Sequence, residues 1–171
     1  MSAVMGWLAR SRVSKKRHPS NVLSHPTGVL IIGVTCSLLF LTFAMLSFNA
    51  ATGGPVVALG FLAFGLLGVY FVLEYYVVRF ELLPAGLRFR TLFRGSGLIE
   101  WSMVRRVSWS DVPKWFVIVL PNGAKIRVSA LLRGLPAFAD AILTNVPSEY
   151  FQVEARTLLL AAAAGELPRI W

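Results

Sequence analysis

The sequence predicts an α+β membrane protein, in which a two-helix transmembrane hairpin precedes a small antiparallel β-barrel or sheet with C-terminal helices. Three observations predict this fold class. Two uncharged apolar runs, Gly28–Phe48 and Pro55–Leu73, are separated by only six residues. Beyond Val78, continuous apolarity gives way to alternation between apolar and polar residues, which is typical of half-buried strands. After Gly134 the apolar residues recur at helical spacing.

The two apolar runs have the length of membrane-spanning helices. They contain 21 and 19 residues, and a helix of about 20 residues crosses the ~30 Å hydrocarbon core of a bilayer. The connecting segment Asn49–Gly54 is uncharged and has the composition of a turn. A cleaved signal peptide is disfavoured, because the first run is too long and Phe48-Asn49-Ala50 is a poor cleavage site. We therefore expect both runs to remain in the membrane.

The positive charges predict the orientation of the hairpin. Residues 1–26 contain five basic and no acidic residues, the hairpin loop contains neither, and arginines resume at Arg79. Because basic flanks stay on the cytoplasmic side, we expect a multi-pass protein of the bacterial inner membrane with both termini cytoplasmic. The net charge is +9. We expect these positive charges to interact with anionic membrane lipids, and we do not expect nucleic acid as a partner.

Small residues within the apolar runs predict where the two helices pack together, because small side chains allow close approach in lipid. These are Gly33, Ser37 and Ala44 in the first helix and Ala58 and Gly65 in the second. Glu74 lies near the end of the second helix, beside Tyr75, Tyr76 and Arg79. An ionisable residue at this depth is either an interfacial anchor or part of a proton relay. We favour an interfacial anchor, formed by these four residues.

Short strands are predicted throughout the segment after the hairpin. Alternation and turn residues predict six of them, at 78–82, 87–92, 98–101, 104–109, 115–120 and 125–129. The Asn122-Gly123 pair is a strong hairpin signal before the last one. The predicted organisation is a basic cytoplasmic tail (1–26), the hairpin (27–78), a β domain with a capping helix (79–146) and a C-terminal helix or tail (147–171). That last helix packs either on its own β domain or on a partner subunit.

The order of these features resembles that of the bacterial pleckstrin-homology-like domains, many of which follow transmembrane helices directly. The resemblance covers residues 78–143. Its carriers are the Pro84–Arg88 turn, the stretch from Phe93 to Trp101, Val104 with Val107, and the Leu120–Ile126 hairpin. It implies a bent seven-stranded sheet capped by a C-terminal helix. Since the pattern predicts six strands, the seventh is expected within Ser110–Lys114 or is missing.

Basic residues alternate along two of the predicted strands. Arg88 and Arg90 share one face of the second strand, and Lys125 and Arg127 share one face of the last. These four residues are candidates for binding lipid headgroups, although a solvated strand face produces the same pattern. Trp109, Trp115 and Phe116 belong either to the core or to an exposed interface; we favour the core.

The sequence predicts no catalytic residues, metal site or cofactor. Its two histidines, His18 and His25, lie beside prolines in the basic tail, and Cys36 is the only cysteine and lies within the first apolar run. No phosphate-binding loop or nucleophile motif is present. We therefore expect a protein that is not an enzyme.

Two functions remain open. The first is a non-catalytic accessory, scaffolding or assembly subunit of a larger bacterial membrane complex, whose cytoplasmic face it braces; its partners would be other integral membrane subunits. The resemblance makes a respiratory or photosynthetic complex one such setting, because related membrane-anchored domains occur among assembly factors. The alternative is a stand-alone membrane-anchored module that binds anionic lipid headgroups through its basic strand face.

Overall fold

A computed structural model describes residues 21–49, 54–93 and 95–166, which form two compact units. One unit, Pro26–Val78, contains the two long helices. The other, here called the β unit, combines the residues that precede and follow it. The fold is α+β, as predicted, and the described residues form four α-helices and two antiparallel sheets of four and three strands.

The helical unit consists of α1 (Thr27–Asn49) and α2 (Gly54–Val77). Both are long and apolar enough to cross a membrane. The helices run antiparallel, because Gly33 lies against Gly68 near one end and Phe43 packs on Phe61 toward the other, with ring centroids 5.5 Å apart. Only 17% of the most apolar stretch of each helix is buried within the structure. Most side chains of these two stretches are therefore not covered by the residues that the structure describes.

The four-stranded sheet has the order β1-β2-β3-β4. Its strands are β1 (Val22–Ser24), β2 (Arg79–Leu83), β3 (Gly86–Thr91) and β4 (Gly95–Glu100). β1 precedes the helical hairpin in the chain and β2 follows it, yet the two are antiparallel neighbours, with Ser24 opposite Arg79. Along the sequence, the two long helices are thus inserted between two strands that are neighbours in one sheet.

β1 is the main difference from the sequence prediction. Residues 1–26 are predicted as a tail, but Val22–Ser24 at its end form a strand, and Leu23 is fully buried. Of the two alternatives given for the seventh strand, a strand within Ser110–Lys114 is not found, since β5 ends at Ser110 and a turn follows it. Residues 1–20, the loop residues 50–53, Arg94 and residues 167–171 lie outside the described part of the chain.

The three-stranded sheet has the order β5-β6-β7 and lies close to the positions predicted. Its strands are β5 (Arg106–Ser110), β6 (Trp115–Val119) and β7 (Lys125–Ser129). Period-two alternation places one face inward, where Val107, Ile118 and Val128 are fully buried. The side chains of the intervening residues form the opposite, outward face.

Two C-terminal helices complete the core of the β unit. α3 (Leu135–Asn145) begins after Gly134, which has φ +86°. The ring centroids of Phe138 on this helix and Phe116 on β6 are 6.3 Å apart. α4 (Val153–Ala163) follows a parallel bridge between Val107 and Phe151. Its residues Ala155, Leu159 and Ala162 are buried. The last helix therefore packs within its own β unit, which is one of the two arrangements left open by the sequence.

Candidate functional site: a basic groove on the three-stranded sheet

The outward face of the three-stranded sheet forms an open groove with a volume of about 520 Å³. Strand register explains its composition. Arg106, Val119 and Lys125 occupy one cross-strand row, and Ser108, Val117 and Arg127 occupy the next. The groove is lined by Arg106, Ser108, Trp109, Ser110, Val117, Val119, Lys125, Arg127 and Gln152.

The electrostatics of this groove favour an anionic ligand. Arg106, Lys125 and Arg127 supply three positive charges, and none of the described residues that line the groove carries a carboxylate. The Arg127 guanidinium carbon lies 5.5 Å from the centroid of the Trp115 ring, which positions this cation on the sheet. The hydroxyls of Ser108 and Ser110 add hydrogen-bonding groups beside the valines. Such a surface can bind phosphate or carboxylate groups together with a short apolar segment.

Gln152 enters the groove through a long-range contact. Its backbone N–H donates to the carbonyl oxygen of Val107 at 2.8 Å, which attaches the start of α4 to the edge of β5. Arg106, Ser108 and Ser110 could have been recognised from their alternation with Val107 and Trp109. Gln152 had no such signal, since the bridge joins segments that are 44 residues apart.

The four residues predicted to bind headgroups are divided between the two sheets. Lys125 and Arg127 lie in the groove, whereas Arg88 and Arg90 lie on β3 of the four-stranded sheet. Arg88 is engaged by Glu81, with Nη1 2.8 Å from Oε2. Arg90 is exposed and lies directly opposite the exposed Arg79.

The predicted helix-packing residues are all buried, namely Gly33, Ser37, Ala44, Ala58 and Gly65. The Ser37 hydroxyl donates to the carbonyl oxygen of Gly33 at 2.8 Å. Gly68, which the sequence analysis did not select, is equally close to the other helix. A Cβ at this position would lie 2.6 Å from the Ser37 nitrogen. Gly68 lies three residues after Gly65, and this spacing could have indicated that both glycines are on the same face of the helix.

The predicted interfacial anchor lies at the end of α2. The Glu74 carboxylate accepts a hydrogen bond from the Tyr70 hydroxyl, a partner that the sequence analysis did not assign. Tyr75 and Tyr76 make an edge-to-face contact with centroids 5.2 Å apart. Arg79 is the first residue of β2 and is exposed.

Among the residues that the structure describes, His25 is the one buried titratable side chain outside the helices. It is 9% exposed, and its Nδ1 atom has no hydrogen-bond partner among the described residues. Burial lowers the pKa of His25 from 6.5 to about 4, so the imidazole is neutral at physiological pH. Within the same described residues, no group of three or more His, Cys, Asp or Glu side chains is placed to hold a metal ion.

Searches against protein-family models, curated proteins and solved structures gave no match to this chain.

Proposed function

We propose that this protein is a non-catalytic accessory subunit of a larger bacterial integral membrane complex, anchored by its helical hairpin and bracing the cytoplasmic face of that complex. In this proposal α1 and α2 span the inner membrane, and both termini are cytoplasmic. The limited burial of both helices supports membrane insertion, because a core helix of a soluble protein would be largely covered by its own chain. The pairing of Ser24 with Arg79 supports a hairpin whose two ends emerge on the same side.

The observation that carries the proposal is the basic groove. Three cations surround the half-buried Val117 and Val119, and this mixture suits an acidic segment of a partner subunit that also carries an apolar residue. The inward face of the same sheet is part of the core, so a partner bound in the groove would be held by a rigid platform. A respiratory or photosynthetic complex is one setting for such a subunit.

A second candidate function is a stand-alone module that binds anionic lipid headgroups through Lys125 and Arg127, or through Arg88 and Arg90. Because none of the described lining residues is acidic, the groove can bind a lipid phosphate as readily as the carboxylate of a protein partner. The two functions predict different assemblies, because a scaffold requires a stoichiometric protein partner and a lipid module does not.

Native purification separates these functions. The tagged full-length protein is extracted in mild detergent and resolved by size, and its co-migrating proteins are identified by mass spectrometry. We expect one large complex, and we expect Arg127→Glu to release the subunit from it. Arg156→Glu is the matched control, since Arg156 is an exposed cation on α4 outside the groove lining. Recovery of a lone protein of monomer size would contradict the accessory role.

A further inference from the structure

The β3–β4 turn lies at the end of the four-stranded sheet from which the chain continues into the helices. Ser24, Arg79, Arg90 and Ser96 form one cross-strand row at this end. β3 continues past Arg90 to Thr91, which pairs with Gly95, and the turn between them extends one step further in the same direction. Leu92 and Phe93 are in this turn.

The chain between this end of the sheet and the helices is very short. Only Val78 separates α2 from β2, and only His25 and Pro26 separate β1 from α1. Because each residue of extended chain spans at most ~3.6 Å, Ser24 and Arg79 lie within about 11 Å of a helix terminus. If the helices span a membrane, this row and the adjoining turn are therefore held at its surface.

The exposed residues at this end suit a lipid surface. The Phe93 side chain is 81% exposed, although Phe is among the residues most often buried. Arg79 and Arg90 are both exposed and directly opposite each other, an arrangement in which like charges repel. The only carboxylate on the neighbouring outward row, that of Glu81, is engaged by Arg88. A lipid phosphate between Arg79 and Arg90 would relieve this repulsion.

We infer that this end of the sheet rests on the membrane that holds the hairpin, with Phe93 in the interfacial layer and Arg79 and Arg90 against lipid phosphates. The inference depends on the proposed insertion of α1 and α2. Lipid rather than protein contacts this end of the sheet, because the short connections to the helices hold it against the bilayer whichever protein subunit is bound. The residues that contact lipid are then on the four-stranded sheet, whereas the groove is on the three-stranded sheet.

Site-specific fluorescence in vesicles tests the position of Phe93. The full-length protein, with Cys36→Ser as background, is reconstituted into vesicles of phosphatidylethanolamine and phosphatidylglycerol. An environment-sensitive dye is attached at Phe93→Cys, and quenching by lipids that carry a shallow nitroxide is measured. We expect a blue-shifted, strongly quenched signal. Val153→Cys is the matched control, because Val153 is 83% exposed on α4, and its label should stay unquenched.

A label at Leu38→Cys, an exposed position on α1, reports insertion of the hairpin independently. If this label is quenched by deep nitroxides while the label at position 93 is not quenched, the inference is overturned and the proposed membrane insertion stands. If the label at position 38 is also unquenched, both are overturned. Shielding of position 93 in native membranes but not in pure lipid vesicles would identify a protein occupant and would likewise overturn the inference.

The arginines are tested with the same label. We expect quenching at position 93 to be stronger in the anionic vesicles than in phosphatidylcholine vesicles, and Arg79→Gln with Arg90→Gln to abolish this difference. Arg106→Gln with Arg127→Gln is the matched double variant on the other sheet and should preserve it. If the second pair removes the difference and the first does not, the groove is the lipid site and the assignment to Arg79 and Arg90 is wrong.

Discussion

Gly86 shows how a single residue constrains the β unit. A Cβ atom added at this position would clash with the backbone carbonyl of Ile99 on the adjacent strand, and backbone cannot move aside as a flexible side chain can. We expect Gly86→Ala to destabilise the protein by about 1–3 kcal/mol, as other overpacked sites do. The measurement is the midpoint of thermal unfolding in detergent, followed by tryptophan fluorescence. Gly60→Ala is the control, since a Cβ there meets no heavy atom within 4 Å beyond its chain neighbours and the nearby backbone of its own helix.

His25 predicts a specific pH dependence. Its pKa is about 4 in the folded protein and 6.5 when unfolded, so the unfolded chain binds more protons between these values. Stability should therefore fall as the pH decreases from about 6.5 toward about 4, by up to about 3 kcal/mol for a shift of this size. His25→Gln should reduce this dependence, whereas His18→Gln, which retains His25, should not. Equal unfolding midpoints at pH 7 and pH 5 in the parent protein would contradict the prediction.

At the scale of elements, β1 is the feature that the sequence could not predict. Val22–Ser24 is a strand of three residues, too short for a detectable alternation, and its partner β2 begins 55 residues after Ser24. The helices, the later strands and α3 were predictable because each has a sustained local period. For the same reason the outward arginines of β3 and β7 could be named, but not their division between two sheets, which depends on long-range pairing.

The contribution of β1 can be measured through Leu23. This side chain is fully buried within the β unit, although its strand is at the edge of the sheet. We expect Leu23→Ala to cost about 2–5 kcal/mol of stability, as is typical for a large-to-small change in a core. Val22→Ala is the neighbouring control, because Val22 is 39% exposed and faces outward. Equal losses in the two variants would show that β1 is not part of the core.

The hairpin depends on Gly68, whose added side chain would meet the Ser37 backbone and hydroxyl. We expect Gly68→Leu to force α1 and α2 apart. In a Cys36→Ser background, Phe40→Cys and Phe64→Cys can be joined by a short thiol cross-linker, since the two native rings lie 5.3 Å apart. Cross-linking should fall sharply with Gly68→Leu and persist with Gly60→Leu. Undiminished cross-linking in the Gly68 variant would rule out tight packing at this position.

At the scale of the whole molecule, the proposed topology places the hairpin loop and the β unit on opposite sides of the membrane. A cysteine at Thr52, in a Cys36→Ser background, should react with a membrane-impermeant thiol reagent from the periplasmic side. A cysteine at Val153, which is exposed on the β unit outside the groove lining, should react only in inverted vesicles. The same accessibility at both positions would contradict a hairpin that crosses the membrane twice.

The insertion of α1 and α2 between two neighbouring strands has a consequence for biosynthesis. β1 leaves the ribosome first, then both apolar helices, and only afterwards the β2 strand that pairs with it. The four-stranded sheet therefore cannot be completed until both helices and β2 have been synthesised. Until β2 has been made, β1 and Leu23, which is buried in the folded chain, lack this partner strand. In the proposed topology, completion of the sheet is thus delayed until both membrane-spanning helices have been made.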